Sequence, residues 1–324
     1  MKDYNVIGIM SGTSLDGVDI VYVNFKLDKY WKYEIINSKT YKYKKKWNIL
    51  LKDISQKKIN LIEKINIDYT RLLSKYIMDF INEFSIEEID FISSHGHTAL
   101  HQPSNSLTYQ IGNLPILAKY INQKVVCDFR VQDVKLGGQG APLVPVGEEY
   151  LFPEYNTFIN LGGFANITRK NKDNLIAYDI CPINIVFNHL SRKMEYKYDD
   201  RGYIASTGNI NEELYSHLQR LNYYKQKPPK SLGVEWVNSQ IYPILKNFQD
   251  TPIKDLMNTF SNHFAFQIAK NIGEQDQVLI TGGGAYNDYL IERIKKLTNS
   301  KLTIPDPNII CLLYTSDAAD DIGR

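Results

Sequence analysis

At 324 residues the chain is long enough for two domains of ordinary size, and 43% apolar with 23% charged residues describes a folded protein and excludes a disordered one. A net charge of +2, from 38 basic and 36 acidic side chains, gives no field that points to nucleic acid. Three cysteines, Cys127, Cys181 and Cys311, have no paired spacing, which argues against a disulfide framework or a zinc cluster and makes a reducing compartment the default.

The apolar run at the start is too short for a signal peptide, and no later run has the length of a membrane span, so a cytoplasmic location is expected. Residues 6–10 and 18–25 are β-branched, apolar runs around a loop rich in Gly, Ser and Asp, which predicts two strands joined by a hairpin. The Lys-rich run at 42–46, KYKKK, is expected on a solvated face. Residues 61–84 have helical apolar spacing, and 89–93 read as a short strand ending at a polar cluster. Residues 125–127 are another short strand. The Gly- and Pro-rich stretch at 137–145, GGQGAPLVP, is the expected interdomain segment, with a cleft beside it.

Strand, glycine turn and strand recur at 158–168, which suggests a duplicated architecture. Helices are expected at 182–194, with Asp179 or Cys181 near its start, and at 256–272. Residues 278–297 then read as strand, glycine turn and helix, a usual setting for a nucleotide.

The loop SGTSLDG has the chemistry of a polyphosphate site. Glycine lets the backbone come close to phosphate, and hydroxyls and N–H groups satisfy its oxygens. The alternative is an ordinary hairpin turn. Asp16 and Asp19 would repel bare phosphate but suit a magnesium ion carried by ATP. GxxxxGK[ST] is missing, so a P-loop is excluded, and a loop joining strand to strand disfavours a dinucleotide fingerprint.

Asn160, Gly162, Gly163 and Asn166 form a second candidate phosphate turn, and Gly282, Gly283 and Gly284 would pass under adenine and ribose. Asp179 reads either as a helix cap or as a base that orients water or a hydroxyl. His95, His97 and His101 have no nearby carboxylate or cysteine that would favour a metal, so a cluster recognising hydroxyls is preferred. Arg130 and Asp133 could be a surface ion pair, or Arg130 could grip a substrate carboxylate through two parallel bonds.

The motifs GIMSGTSLDGVD, SHGHTALHQP, QIGN, DFRVQDVKLGGQGAPLVP, NLGGFANIT and TGGGAYN occur in one order over residues 6–305, and this pattern resembles the anhydro-N-acetylmuramic acid kinase family. The resemblance implies an α/β, two-domain duplicated ribonuclease-H-like (actin-like ATPase) fold with a cleft between domains, here 1–130 and 131–310. It implies an ATP-dependent kinase that hydrolytically opens 1,6-anhydro-N-acetylmuramic acid and phosphorylates O6, giving N-acetylmuramate 6-phosphate in peptidoglycan recycling.

By the family's pattern Gly12, Thr13, Ser14, Leu15, Asp16, Gly17, Val18 and Asp19 form the ATP loop. Asn160, Gly162, Gly163 and the Gly282, Gly283, Gly284 run complete the nucleotide contacts. Asp179 is the base for water, and Ser11, His95, Arg130 and Asn184 contact the sugar. Mg2+ with ATP would face Asp16 and Asp19. The implied partner is a small sugar, without nucleic acid or membrane, and the protein is expected as a homodimer.

Two departures stand out. The family's Asp-Thr-Gly-Pro-Gly-Asn is here Asp179, Ile180, Cys181, Pro182, Ile183, Asn184, with both glycines replaced. Residues 311–324, CLLYTSDAADDIGR, do not follow the family and read as a sequence artefact. The alternatives are a truncated member that binds sugar and nucleotide without turnover, and an actin- or chaperone-like ATPase that moves partners.

Overall fold

The structure, a computed structural model, describes residues 2–12, 15, 17–102, 105, 107–141, 143–171 and 174–306. Thr13, Ser14, Asp16, Cys311 and the tail at 311–324 lie outside the described residues. Contacts group the chain into two units, the first ending at Leu151 and the second beginning at Phe152.

In the first unit β1 (Lys2–Met10), β2 (Gly17–Leu27) and β3 (Trp31–Lys42) form an antiparallel meander. The chain returns through α1 (Lys45–Lys52) and α2 (Ile59–Glu83) to β4 (Phe91–Ser94), parallel to β1. A ribbon of β5 (His97–Gln102) and β6 (Leu107–Ile111), then α3 (Ile116–Ile121), precede β7 (Val125–Cys127), parallel to β4. α4 (Phe129–Lys135) and α5 (Val144–Leu151) complete the unit.

The second unit repeats the plan. β8 (Thr157–Leu161), β9 (Phe164–Asn171) and β10 (Asn174–Pro182) form its meander. α6 (Asn184–Arg192), α7 (Tyr203–Ser206), α8 (Glu212–Gln219), α9 (Val234–Trp236), α10 (Tyr242–Asn247) and α11 (Ile253–Asn271) lead to β11 (Gln277–Thr281), parallel to β8. α12 (Asp288–Leu297) then crosses to β12 (Lys301–Thr303), parallel to β11.

The strand orders are β3-β2-β1-β4-β7 and β10-β9-β8-β11-β12, one arrangement used twice. Antiparallel neighbours are joined by short turns and parallel ones by helical crossovers, as backbone geometry requires. This is the α/β, duplicated ribonuclease-H-like architecture of actin-like ATPases; the two glycine hairpins lead one to expect the duplication, and the family resemblance implies the fold type.

Each sheet buries an apolar face under helices. On α2 the side chains of Ile62, Tyr69, Leu73, Ile77 and Phe80 recur every three to seven residues and are fully buried with Ile7, Ile20 and Ile92 of the sheet. Each such burial stabilises the unit by roughly 1.5–3 kcal/mol. α11 is central to the second unit, with Phe260, Phe264 and Ile268 packed among Ile159, Val186 and Ile280. The lysines of the 42–46 run are exposed, but Tyr43 among them is buried.

Residues 131–151, expected in the second domain, belong to the first unit. The physical reason is local anchoring. α4 packs on β6, and the stretch after it, expected as an interdomain hinge, is tied back to α4. The Asp133 main chain and carboxylate accept from the N–H groups of Gly138 and Gly140, at 2.8 and 2.7 Å.

α6 starts at Asn184, five residues beyond Asp179, which lies in β10. Of the two readings of Asp179, the helix cap therefore does not hold. The amides of Ile183 and Asn184 donate instead to the carbonyls of Gly163 and Gly162, at 2.8 and 3.3 Å.

At the other end of the second sheet, buried Asp276 accepts from Thr157 Oγ1 at 2.7 Å, the Gly273 amide at 2.8 Å, Asn156 Nδ2 at 3.1 Å and Arg169 Nη2 at 3.4 Å. One carboxylate thus joins the starts of β8 and β11 to β9. Asp276→Ala would orphan several donors and should destabilise the second unit by about 3 kcal/mol. A clearly lower thermal midpoint is expected; an unchanged one would show that the cluster does not hold the sheet.

Candidate functional site

The first glycine loop leaves β1 after Met10 and enters β2 at Gly17, with Met10 opposite Asp19 as the last pair of the ladder. Gly17 is required by packing, because a Cβ there would overlap the Tyr41 carbonyl of β3. Leu15 has a positive φ of 58°, and its amide donates to Gly12 O at 3.4 Å, so the loop turns back on itself without a glycine at 15. Val18 is fully buried, whereas Asp19 accepts a hydrogen bond from Thr40 Oγ1. Hydroxyl bonding leaves a carboxylate further acceptor capacity, so Asp19 fits a role beside a magnesium ion.

Buried Ser11, the residue before the loop, is fixed from below. Tyr69 of α2 donates to Ser11 Oγ at 2.7 Å, and Tyr43 shares a hydrogen bond with Tyr69. Burial pushes the Tyr43 hydroxyl up to about 12 and Tyr69 well above the ordinary value, so both stay neutral. Neither tyrosine was marked by the sequence as functional. Tyr69 has the spacing of a core residue on α2, and only the fold shows that its hydroxyl reaches Ser11.

The histidine cluster has a different logic. Arg130, 2% exposed, donates from Nε to His95 Nε2 at 2.8 Å and from a second guanidinium nitrogen to Gly140 O. His95 Nδ1 lies 2.8 Å from Gly96 O, which can only accept, so the proton sits on Nδ1 and Nε2 receives the arginine. Burial, and then the arginine charge, push His95 down to about 3, consistent with this neutral tautomer. His97 is fully buried and is pushed down to about 4 by burial, opposed by a hydrogen bond to the Ser11 backbone. His101 Nδ1 pairs with Thr108 Oγ1 across the β5–β6 ribbon. The surface ion pair considered for Arg130 and Asp133 is not formed: Arg130 is a buried clamp on His95 and Gly140, and Asp133 serves the 138–140 backbone.

In the second unit the two remaining glycine loops are one cluster. A Cβ on Gly282, whose φ is +80°, would overlap Asn160 Oδ1, and a Cβ on Gly284 would lie 2.8 Å from Leu161 Cβ. Gly283 differs, since a Cβ there meets nothing within 4 Å. Gly282 and Gly284 are therefore glycines because of packing, whereas at Gly283 the space beside the backbone is open. Asn184 Nδ2 donates to the carbonyls of Leu161 and Gly162 at 3.1 and 2.8 Å, holding the turn at Gly162 and Gly163.

A polar row runs across this sheet beside the loops. Asp179 of β10 is opposite Asn166 of β9, Asn166 is opposite Asn160 of β8, and Asn160 is beside Thr281 of β11. The ladder has an irregularity between Asp179 and Cys181. On its outer side Asp179 is held by the 223–232 segment. Its amide donates to Lys230 O at 3.0 Å, its carbonyl accepts from Tyr223 OH at 2.6 Å, and its Oδ2 accepts from the Leu232 amide at 2.6 Å. Asp179 is partly exposed as a residue, and its carboxylate is oriented by the Leu232 amide. Tyr223 and Leu232 had no sequence signal, since their role comes from a contact 44 and 53 residues away. Cys181 is buried, and burial pushes its thiol well up, which makes it a poor nucleophile.

Ser11, Gly12, Leu15, Gly17, Val18, Asp19, His95 and Arg130 thus belong to the first unit, and Asn160, Gly162, Gly163, Asp179, Asn184 and Gly282, Gly283, Gly284 to the second. Among the described residues no helix is long and apolar enough to cross a membrane.

Residues 4–307 match the family model described as anhydro-N-acetylmuramic acid kinase. Curated relatives of that name include one from Clostridioides difficile, 36% identical over 90% of this chain and 83% of its own length. Another, from Bacillus cereus, is 32% identical over 92% of this chain and 85% of its own. Among solved structures, a (R)-2-hydroxyglutaryl-CoA dehydratase component A from Acidaminococcus fermentans is 13% identical, covers 98% of this chain and 97% of its own, and has a TM-score of 0.46. The fold assignment rests on the strand order and not on that loose likeness. The chain belongs to the anhydro-N-acetylmuramic acid kinase family, a family of kinases.

Proposed function

We propose that this protein opens 1,6-anhydro-N-acetylmuramic acid with water and transfers the γ-phosphoryl group of ATP to O6, giving N-acetylmuramate 6-phosphate and ADP in cell-wall recycling. The observation that carries the reading is the oriented Asp179 carboxylate in a polar row beside two glycine loops. Family membership supplies the identity of the sugar.

In this reading Asp179 accepts a proton from water as the water oxygen bonds to the anomeric carbon. The bond from that carbon to O6 breaks, and O6 takes the phosphoryl group as ADP leaves. Positioning and charge stabilisation supply most of the acceleration in phosphoryl transfer, so rigid loops matter more than further reactive groups.

The proposed nucleotide contacts are the loop at 12–19 in the first unit and, in the second, the Gly162 and Gly163 turn with Gly282, Gly283 and Gly284. Mg2+, when bound with ATP, shields the phosphate charge; Asp19, together with Asp16, is the proposed carboxylate facing it. Ser11, His95 and Arg130 would contact the sugar, with Arg130 acting chiefly by fixing His95 and Gly140, since two of its nitrogens are committed there. Asn184 would act by holding the glycine turn and could offer its carbonyl to the sugar. A cytoplasmic homodimer acting on a small sugar, without nucleic acid or membrane, completes the reading on family resemblance alone.

Asp179→Asn keeps an oxygen for the Leu232 amide but removes the base, so turnover should fall by roughly 10²–10⁴-fold while ATP still binds. Activity near the wild-type level would refute the assignment. Gly283→Leu projects a side chain into open space, so the thermal midpoint should hardly move while ATP affinity drops by about tenfold or more, a loss of at least ~1.4 kcal/mol. Unchanged affinity in calorimetric titration would remove this loop from the nucleotide site.

A further inference from the structure

β10 is an edge strand, and the 223–232 segment meets it at Asp179 through three bonds. The Asp179 amide donates to Lys230 O at 3.0 Å. The Leu232 amide, two residues on, donates to Asp179 Oδ2, and the Asp179 carbonyl is taken by the Tyr223 hydroxyl, each at 2.6 Å.

We propose that Tyr223 is a positioning residue for the reaction: by occupying the Asp179 main-chain carbonyl, its hydroxyl releases the Leu232 amide to orient the Asp179 carboxylate. The inference rests on Asp179 being the base. Tyr223 is itself fixed, being 5% exposed, packed against Trp236 at 5.5 Å between ring centroids, and covered by Lys230, whose Nζ is 4.5 Å from the ring centre and donates to Tyr223 O at 3.2 Å. A ring packed in this way holds its hydroxyl on the Asp179 carbonyl.

Removing the hydroxyl leaves a carbonyl that the Leu232 amide, already bonded to the same residue, would satisfy, since an unpaired carbonyl is costly. The carboxylate then loses its amide donor. A hydrogen bond to the charged form lowers a carboxyl pKa, so its loss raises it, and the base becomes available only at higher pH. The other titratable groups facing this point are Lys230, with Lys270 behind it, and Cys181 and Tyr178, all unchanged by the substitution.

The test is the single-turnover rate of anhydro-sugar phosphorylation against pH for the wild type, Tyr223→Phe and Asp179→Asn, with calorimetric ATP affinity as the control for folding. Tyr223→Phe should slow the reaction by about tenfold, a fraction of a general base's usual contribution, and move the acidic limb up by about one pH unit, with ATP affinity unchanged. An unmoved limb overturns the inference if Asp179→Asn is inactive; an active Asp179→Asn overturns the underlying reading. Should Tyr223→Phe fold poorly, 4-aminophenylalanine at 223 keeps ring and donor. It should hold the wild-type limb, and a shifted limb there also overturns the proposal.

Discussion

The second unit depends on backbone lying against backbone at the ends of β8 and β11. Side chains at Gly282 and Gly284 would collide with Asn160 and Leu161, so only glycine permits the two loops to close up. That closeness sets Gly283 at the open edge, and it places Asn160 beside Thr281 in the row that ends at Asp179. α6 is started by the same turn, because its first amides bond to the carbonyls of Gly162 and Gly163. Loop, helix start and carboxylate are thereby one assembly.

The first unit reaches an equivalent loop by other means. Its β1–β2 connection is longer, and support comes from side chains, with the Tyr43, Tyr69 and Ser11 hydroxyls linked in series. Duplicated strand order has thus not meant duplicated chemistry. The second unit's loop is held by glycine packing, whereas the first adds to the packing at Gly17 a buried polar chain that must be fully satisfied to be stable.

Much of this was legible in the sequence where the signal is local. The β-branched runs around glycine gave β1, β2, β8 and β9, and helical spacing gave α2 and α11 within a few residues. The duplication followed from paired glycine turns. What was illegible came from distant contacts. No strand is read at β3 or β10, because each completes a meander whose pairing partner supplies half the pattern. Asp179 reads equally as a helix cap or a base because it precedes α6, whereas the irregular ladder and the 223–232 segment decide where its carboxylate goes. Arg130 and Asp133 could be read as an exposed pair or, for Arg130, as a substrate contact, because sequence does not show that residues 138–140 are tied back to Asp133 and Arg130. The glycines at 137–140 read as a hinge for the same reason.

The imidazoles of the first unit have a consequence for how the protein responds to acid. His95 and His97 are neutral down to about 3 and 4, and His263, buried in the second unit, down to about 3, in each case with burial as the largest cause. Near neutrality they leave the electrostatic field around Ser11 constant. Below their unfolded value of about 6.5, however, the unfolded chain binds protons that the native chain refuses. Stability is therefore full above that pH and drains away as it falls toward the native values, so proton uptake becomes a driving force for unfolding.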